Sequence, residues 1–444
     1  MKNKVIIAVK VFVIVLALTL INCGLLVISF CLPTGKMRQH MAESYPLIEQ
    51  EHQYLQWDQG YTSSMLDFWS EYTLYGVAIN EDAEGNAFER AMLMWYIDTP
   101  GVDKDKAVET YARYPEEHFE ITAYPRYWNG VVIFMKIMLL FFTIPDIRMI
   151  NMFLQFALLA MVIFLMAKKN MVVELIALLT AIFFINPITM VYSLVYATEY
   201  IPMLLGIIVI LLFGEKIEKT EGGWELFFAI EGAVTSFFCF LSSPFITLGI
   251  PLIIMIWCTG KKRVVRSVIE NSCYWTLAYG LTWGMKWIIC TLFTSYDLIK
   301  NVFERVDVYE NLENAENSGT TLVERFMRNL WVYKTPAFML LFIAAIILLA
   351  VALAMTKRSI GSIDETNIGN KTKKNLIDEI LGYILIACIP ITVVIILGNG
   401  YSYNHYFMSH RNFAITVLAS LCIIKRLFSW IIEKRNAIGC RNRV

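Results

Sequence analysis

Charge is scarce in this 444-residue chain: only 17% of its residues are Asp, Glu, Lys or Arg, against 57% hydrophobic. A soluble protein of this size carries nearer about a quarter, so a water-soluble globular protein is excluded. Neither sign prevails. Lys+Arg and Asp+Glu stand at 38 each, which gives no basis for a nucleic-acid partner. Cysteine chemistry is missing too. The chain has no CxxC pair and no Cys/His metal spacing, and the polar stretch from Leu32 to Pro145 has no cysteine at all. A disulfide framework and a zinc module are thereby set aside. Cysteines such as Cys239, Cys258, Cys290 and Cys422 lie in apolar runs and read as small packing residues. No internal repeat of the kind many secondary transporters carry is present either.

What the chain has instead is long apolar runs. Residues 5–31 are interrupted only by Lys10 and Asn22. The run is too long for a signal-peptide core and lacks a small-x-small cleavage site, so it reads as a retained signal anchor. Further runs lie near 148–167, 171–190, 199–214, 224–243, 244–259, 270–293, 335–356, 377–398 and 408–432. Each is near the ~20 residues that cross a bilayer. The expected fold class is therefore all-α: a polytopic helical membrane protein of about ten transmembrane helices.

Residues 128–144 (WNGVVIFMKIMLLFFTI) are apolar enough to span, but short and interrupted by Lys136. If they spanned, Lys168/Lys169 and the cluster Lys261, Lys262, Arg263 and Arg266 would lie outside. If they lie along the outer interface, every basic cluster faces the cytoplasm, as the positive-inside rule requires. The second topology is adopted, with both termini cytoplasmic. It divides the chain into a first transmembrane helix (1–31), a large extracytoplasmic loop (32–147), transmembrane helices (148–293), a second extracytoplasmic loop (294–334) and C-terminal transmembrane helices (335–444). The first loop holds 18 acidic against 8 basic residues, the sign expected outside. The segment 356–376 reads as a solvated cytoplasmic linker.

Candidate chemistry concentrates at the outer face. SSMLDFWSEYTLYGVAIN reads as an amphipathic helix with Asp67 and Glu71 at i, i+4, both carboxylates on one side. A carboxylate partly desolvated there suits a general base acting on a hydroxyl or amine; against this, it is one acidic face in a loop with many. Intramembrane charge is costly and usually functional. Glu199 opens one span, Lys286 lies about two turns inside another, and His410 and Arg411 stand at the mouth of the last, in YNHYFMSHRNF with His405. Cations from distant spans at one face suit a phosphate or pyrophosphate. The bland alternative is snorkelling for Lys286 and ordinary interfacial placement for Arg411. Arg126, Tyr127 and Trp128, and likewise Tyr200 with Pro202, read as belt aromatics and helix punctuation; SSPF at 242–245 reads as an ordinary turn.

The order of these features resembles the GT-C glycosyltransferases, closest to the protein O-mannosyltransferase-like and aminoarabinose-transferase-like branch. Tyr124, Pro125, Tyr127 and Trp128 resemble a His-Pro-Pro-Leu-Tyr-Tyr motif that opens a juxtamembrane helix, and Arg148 resembles the Arg that follows at the next span. Glu199 matches an acidic position used in some members. The resemblance covers about residues 1–215 and weakens afterwards. Arg126 replaces the second proline, and Asp67 comes about 35 residues after the first span, where the family places its acidic residues sooner. The resemblance implies an inverting single displacement in a bacterial plasma membrane. A polyprenyl-phosphate-linked sugar is the donor, its phosphate held by Lys286 and Arg411. Asp67, with Glu71 as its rival, takes the proton of an envelope glycan, lipid or protein acceptor, and Glu199, Arg126, Tyr127, Trp128, His405 and His410 line the cavity. Some members use a divalent metal; no ligand set for one is evident in the sequence. Two other classes remain open: a transporter or flippase for a lipid-linked or anionic solute, and a noncatalytic membrane assembly protein.

Overall fold

The computed structural model describes residues 2–49, 51–117, 119–259, 263–304, 321–358, 370–396 and 402–441. The expected linker 356–376 and the second loop 294–334 fall partly outside them. Among the described residues six helices are long and apolar enough to cross a membrane: Val5–Ser29, Ile144–Lys168, Leu194–Lys219, Pro336–Ala354, Asn375–Thr392 and Tyr406–Ile432. The chain is thus an all-α protein of integral-membrane character. Each of the ten apolar runs contains a helix, but Val172–Ile185 and Ile246–Thr259 are shorter than the six, and the helices of the runs 224–243 and 270–293, Gly223–Phe238 and Val264–Phe293, are not among them.

The first helix, α1 (Lys2–Ser29), turns Val5, Val9, Phe12, Val13, Leu20 and Ile28 outward. A side so apolar is stable only against lipid or another apolar surface. Its inner side, at Val11 and Val15, packs with Ala229, Ala233 and Ala278. The polar segment that follows folds into a compact layer of α2 (Gly35–Ile48), α3 (Phe68–Ile79), α4 (Ala87–Leu93), α5 (Lys104–Arg113) and a two-stranded antiparallel ribbon pairing Tyr96 with Thr122 and Ile97 with Ile121. Met37, Met41, Tyr45, Tyr72, Tyr75, Ile97 and Tyr111 form its core, which runs without a break into that of the long helices. Asn86 starts α4 through a capping box with Glu89; Thr143 and Asp146 do the same for α7 (Ile144–Lys168). These caps satisfy N–H groups that a helix start leaves unpaired.

Residues 128–144 contain one helix, α6 (Val131–Leu139), of nine residues. At 1.5 Å per residue it is about 14 Å long, half the ~30 Å of a hydrocarbon core, and cannot cross alone. Beyond α7 run α8 (Val172–Ile185), α9 (Pro187–Tyr192), α10 (Leu194–Lys219), α11 (Gly223–Phe238), α12 (Ile246–Thr259) and α13 (Val264–Phe293). The run 171–190 is broken at Asn186, whose φ of +64° ends α8 and whose side chain caps α9. After α14 (Leu322–Trp331) come α15 (Pro336–Arg358), α16 (Asn370–Ile396) and α17 (Ala414–Arg441).

The α3 helix differs from the amphipathic expectation. It begins at Phe68, and all of its residues except Trp69 are buried, because it runs inside the polar segment rather than over its surface. Asp67 precedes the helix as its N-cap, so it and Glu71 do not share a helical face.

Candidate functional site

Two buried guanidinium groups organise the charge. On the first turns of α7, Arg148 donates through Nη1 to both oxygens of Glu51, each at 2.7 Å, and through Nε and Nη2 to Glu71 Oε1 at 3.2 and 2.9 Å. Its plane lies 4.5 Å from the Phe68 ring centroid. The Tyr192 hydroxyl donates to Glu51 at 2.8 Å, and the second Glu71 oxygen accepts the Leu194 N–H at 2.9 Å. Glu71 is therefore held on every side. Burial pushes its carboxyl above the usual range and the Arg148 charge opposes that. Two carboxylates on one guanidinium clamp α3 and the 51 region to α7, α9 and α10.

The second group is Arg411, in a 3-10 turn (His410–Phe413) at the head of α17. It donates from Nε to Ile185 O at 3.2 Å, from Nη1 to Phe407 O at 2.6 Å and from Nη2 to Ser63 O at 2.9 Å, with Met65 O at 3.5 Å. Its plane covers the Tyr196 ring at 4.1 Å, and the Tyr196 hydroxyl donates to Met65 O. Two carboxylates lie in its field. Asp67 is 2% exposed and accepts the Ser70 N–H at 3.1 Å and its hydroxyl at 2.5 Å. Burial raises its carboxyl; Ser70 and then Arg411 oppose the rise. Glu199, one turn beyond Tyr196, accepts the Cys239 thiol at 2.8 Å, the Ser243 N–H at 2.7 Å and the Ser243 hydroxyl, and it too feels Arg411. Asp67, Glu199 and Arg411 thus converge around Tyr196 from three segments.

Lys286 stands apart. It is fully buried, donates to Ala91 O at 3.3 Å and lies 5.2 Å from the Trp128 ring centroid. Among the described residues no carboxylate pairs with it. A common principle emerges: Lys286 serves the C-terminal turn of α4, Lys136 donates to Ala78 O near the end of α3 at 2.7 Å, and Arg411 reaches the last carbonyl of α8. Helix C-termini leave carbonyls unpaired and carry partial negative charge, so cations are stabilised there.

The aromatic candidates form a wall. Tyr127 stacks on Trp283 at 5.8 Å and on Phe240 at 6.0 Å. The main-chain oxygen of Arg126 accepts the indole N–H of both Trp283 and Trp287, and the Arg126 guanidinium lies over Tyr124. Trp128 donates to Thr282 O at 2.7 Å. His405 stacks on Phe407, and buried His410 contacts the Tyr406 carbonyl through Nδ1 and the Tyr333 ring at 5.5 Å. Among the described residues no group of three or more His, Cys, Asp or Glu could hold a metal ion.

Sequence reasoning missed Glu51, Tyr196, Cys239 and Ser243. Nothing in the spacing of SSPF distinguishes an exposed turn from this one, where Ser242 and Ser243 are buried and Ser243 holds Glu199. No protein-family model, curated protein or solved structure matches this chain.

Proposed function

We propose that the chain is a membrane-embedded transferase that moves a sugar from a polyprenyl-phosphate donor to an acceptor at the outer face. The observation that carries this reading is the convergence of Asp67, Glu199 and Arg411 around Tyr196. A buried base beside a buried cation supplies the two functions an inverting displacement needs. Asp67 takes the acceptor proton as the nucleophile attacks the anomeric carbon, and Arg411 stabilises charge developing on the departing lipid phosphate. The raised affinity of Asp67 for protons favours that role, and the acceptor reaches it by displacing the Ser70 hydroxyl. Four of the five guanidinium N–H groups already hold carbonyls, so phosphate takes the fifth and exchanges the long contact to Met65. Lys286 is left as a structural cation.

In this reading ten helices cross the membrane, both termini are cytoplasmic, and the 32–143 layer lies outside, with α6 along the interface. Two shorter helices, α8 and α12, complete their crossings through the α9 turn and the Cys239–Phe245 connection. A noncatalytic assembly role is the second reading, and it is favoured by one fact: Asp67 caps α3 and Arg411 ties together four carbonyls, so both have structural work in the absence of substrate. Incubating the reconstituted protein with a panel of radiolabelled polyprenyl-phosphate sugars separates the two. Consumption of one donor supports the transferase, and survival of all of them with acceptor extracts present supports the assembly protein.

A further inference from the structure

The connection between α11 and α12 is non-helical yet buried: Phe240 and Leu241 are nearly covered, and Ser242 and Ser243 are covered completely or almost so. Irregular backbone at this depth is stable only where protein or a polar cavity satisfies it. Leu241 adopts φ +67°, uncommon for a side chain other than glycine. The donors of this connection gather on one small region. The Leu241 N–H reaches Cys239 Sγ at 3.0 Å, the Cys239 thiol reaches Glu199 Oε1, and the Ser243 N–H and hydroxyl both reach Glu199 Oε2. The Phe245 N–H is held by Asn412 Oδ1 at 3.1 Å, next to Arg411. Immediately beyond, α12 opens its 14 residues, with its positive end toward the same place.

One donor is left over. Ser242 Oγ, in a residue 1% exposed, has no hydrogen-bond partner among the described residues, and a buried hydroxyl without a partner is destabilising. The two oxygens of Glu199 are occupied by Cys239 and Ser243. Ser242 adjoins Ser243 in the chain, and a third oxygen, which a phosphate has and a carboxylate lacks, would offer the vacant hydroxyl an acceptor. Amide and hydroxyl donors around one anion, in the field of a nearby guanidinium that itself holds carbonyls, are the chemistry of phosphate binding.

We propose that the Cys239–Phe245 connection is a phosphate seat in which Glu199 is the resting occupant, displaced when a phosphate oxyanion binds. The identity of that phosphate as the headgroup of a lipid-linked donor rests on the transferase reading; the seat itself does not. Glu199 then acts as a built-in competitor, which keeps the buried donors paired until the ligand arrives.

The test is titration of the full chain in zwitterionic nanodiscs with farnesyl phosphate and, separately, inorganic phosphate, followed by calorimetry. Glu199→Gln removes the competing charge and keeps the shape, so farnesyl phosphate should bind it about tenfold tighter than the wild type. Ser242→Ala should weaken binding about fivefold without lowering thermal stability, because that hydroxyl has no partner to lose in the resting state. Equal affinity for inorganic phosphate supports a seat for the free ion; a strong preference for farnesyl phosphate supports a lipid headgroup. Binding to Glu199→Gln that is unchanged or weaker overturns the competitor role, and absence of binding to both proteins overturns the seat. Phosphate binding with the expected variant effects, but no sugar transfer from any donor, leaves the seat standing and removes the transferase reading.

Discussion

The guanidinium of Arg411 stands 4.1 Å from the ring centroid of Tyr196, and this pair is the pivot of the buried charge. Tyr196 lies in the field of both Asp67 and Glu199, and Arg411 acts on both. One cation between two carboxylates leaves the cluster with one formal negative charge in excess, offset by the N–H, O–H and S–H donors aimed at each oxygen.

The separation of Lys286 from this cluster gives a first prediction. Its partners are a carbonyl and a ring rather than Glu199, so the two side chains should be energetically independent. In a double-mutant cycle, the thermal destabilisation by Lys286→Met and Glu199→Gln should add to within about 0.5 kcal/mol. Recovery of stability in the double variant would show that the ammonium and the carboxylate are paired after all.

Arg148 gives the second. Arg148→Met strands Glu51 and Glu71 in a buried site and should cost about 3–5 kcal/mol. Glu71→Gln should cost far less, since it keeps the acceptor oxygen and brings the cluster to neutrality. Thermal unfolding, with limited proteolysis of the 32–143 layer as a second readout, checks both. An Arg148→Met protein as stable and as protease-resistant as the wild type would contradict the clamp.

Lys136 gives a third, through pH. Burial holds its ammonium down at about 8, with Arg90 adding repulsion and Glu81 opposing it. Between about pH 8 and the usual lysine value near 10.5, the unfolded chain binds a proton that the folded one has released. Stability from this group therefore rises with pH across that window, by up to about 3 kcal/mol in all. Lys136→Met should flatten that part of the stability curve; an unchanged slope would mean that Lys136 is not the group responsible.

The helices were legible because apolar composition is a local property: each run that the residues announce contains a helix, though the run 171–190 breaks at Asn186 and the helix of 224–243 ends at Phe238. The polar segment was harder. Asp67 and Glu71 have helical spacing, but only the backbone decides that the helix starts at Phe68 and that Asp67 caps it. Lys286, Lys136 and Arg411 found main-chain oxygens, and every residue carries one, so nothing in the amino-acid order marks which carbonyl receives a cation. The partner of Arg148 at Glu51 is 97 positions away, a pairing that only the packing of the whole layer creates. The charged positions were therefore visible, while their division into an Arg411 cluster and a solitary Lys286 was not.

Asp67→Asn decides whether Asp67 is the base. Asn caps a helix about as well as Asp, so the bond to the Ser70 N–H and the fold should persist while the proton affinity is lost. The measurement is the rate of sugar transfer from the consumed lipid-linked donor by wild type and variant, each checked for equal thermal stability. A base at Asp67 requires a fall of about 100-fold or more in the variant, with donor binding retained. Transfer at the wild-type rate by a correctly folded Asp67→Asn protein would contradict it.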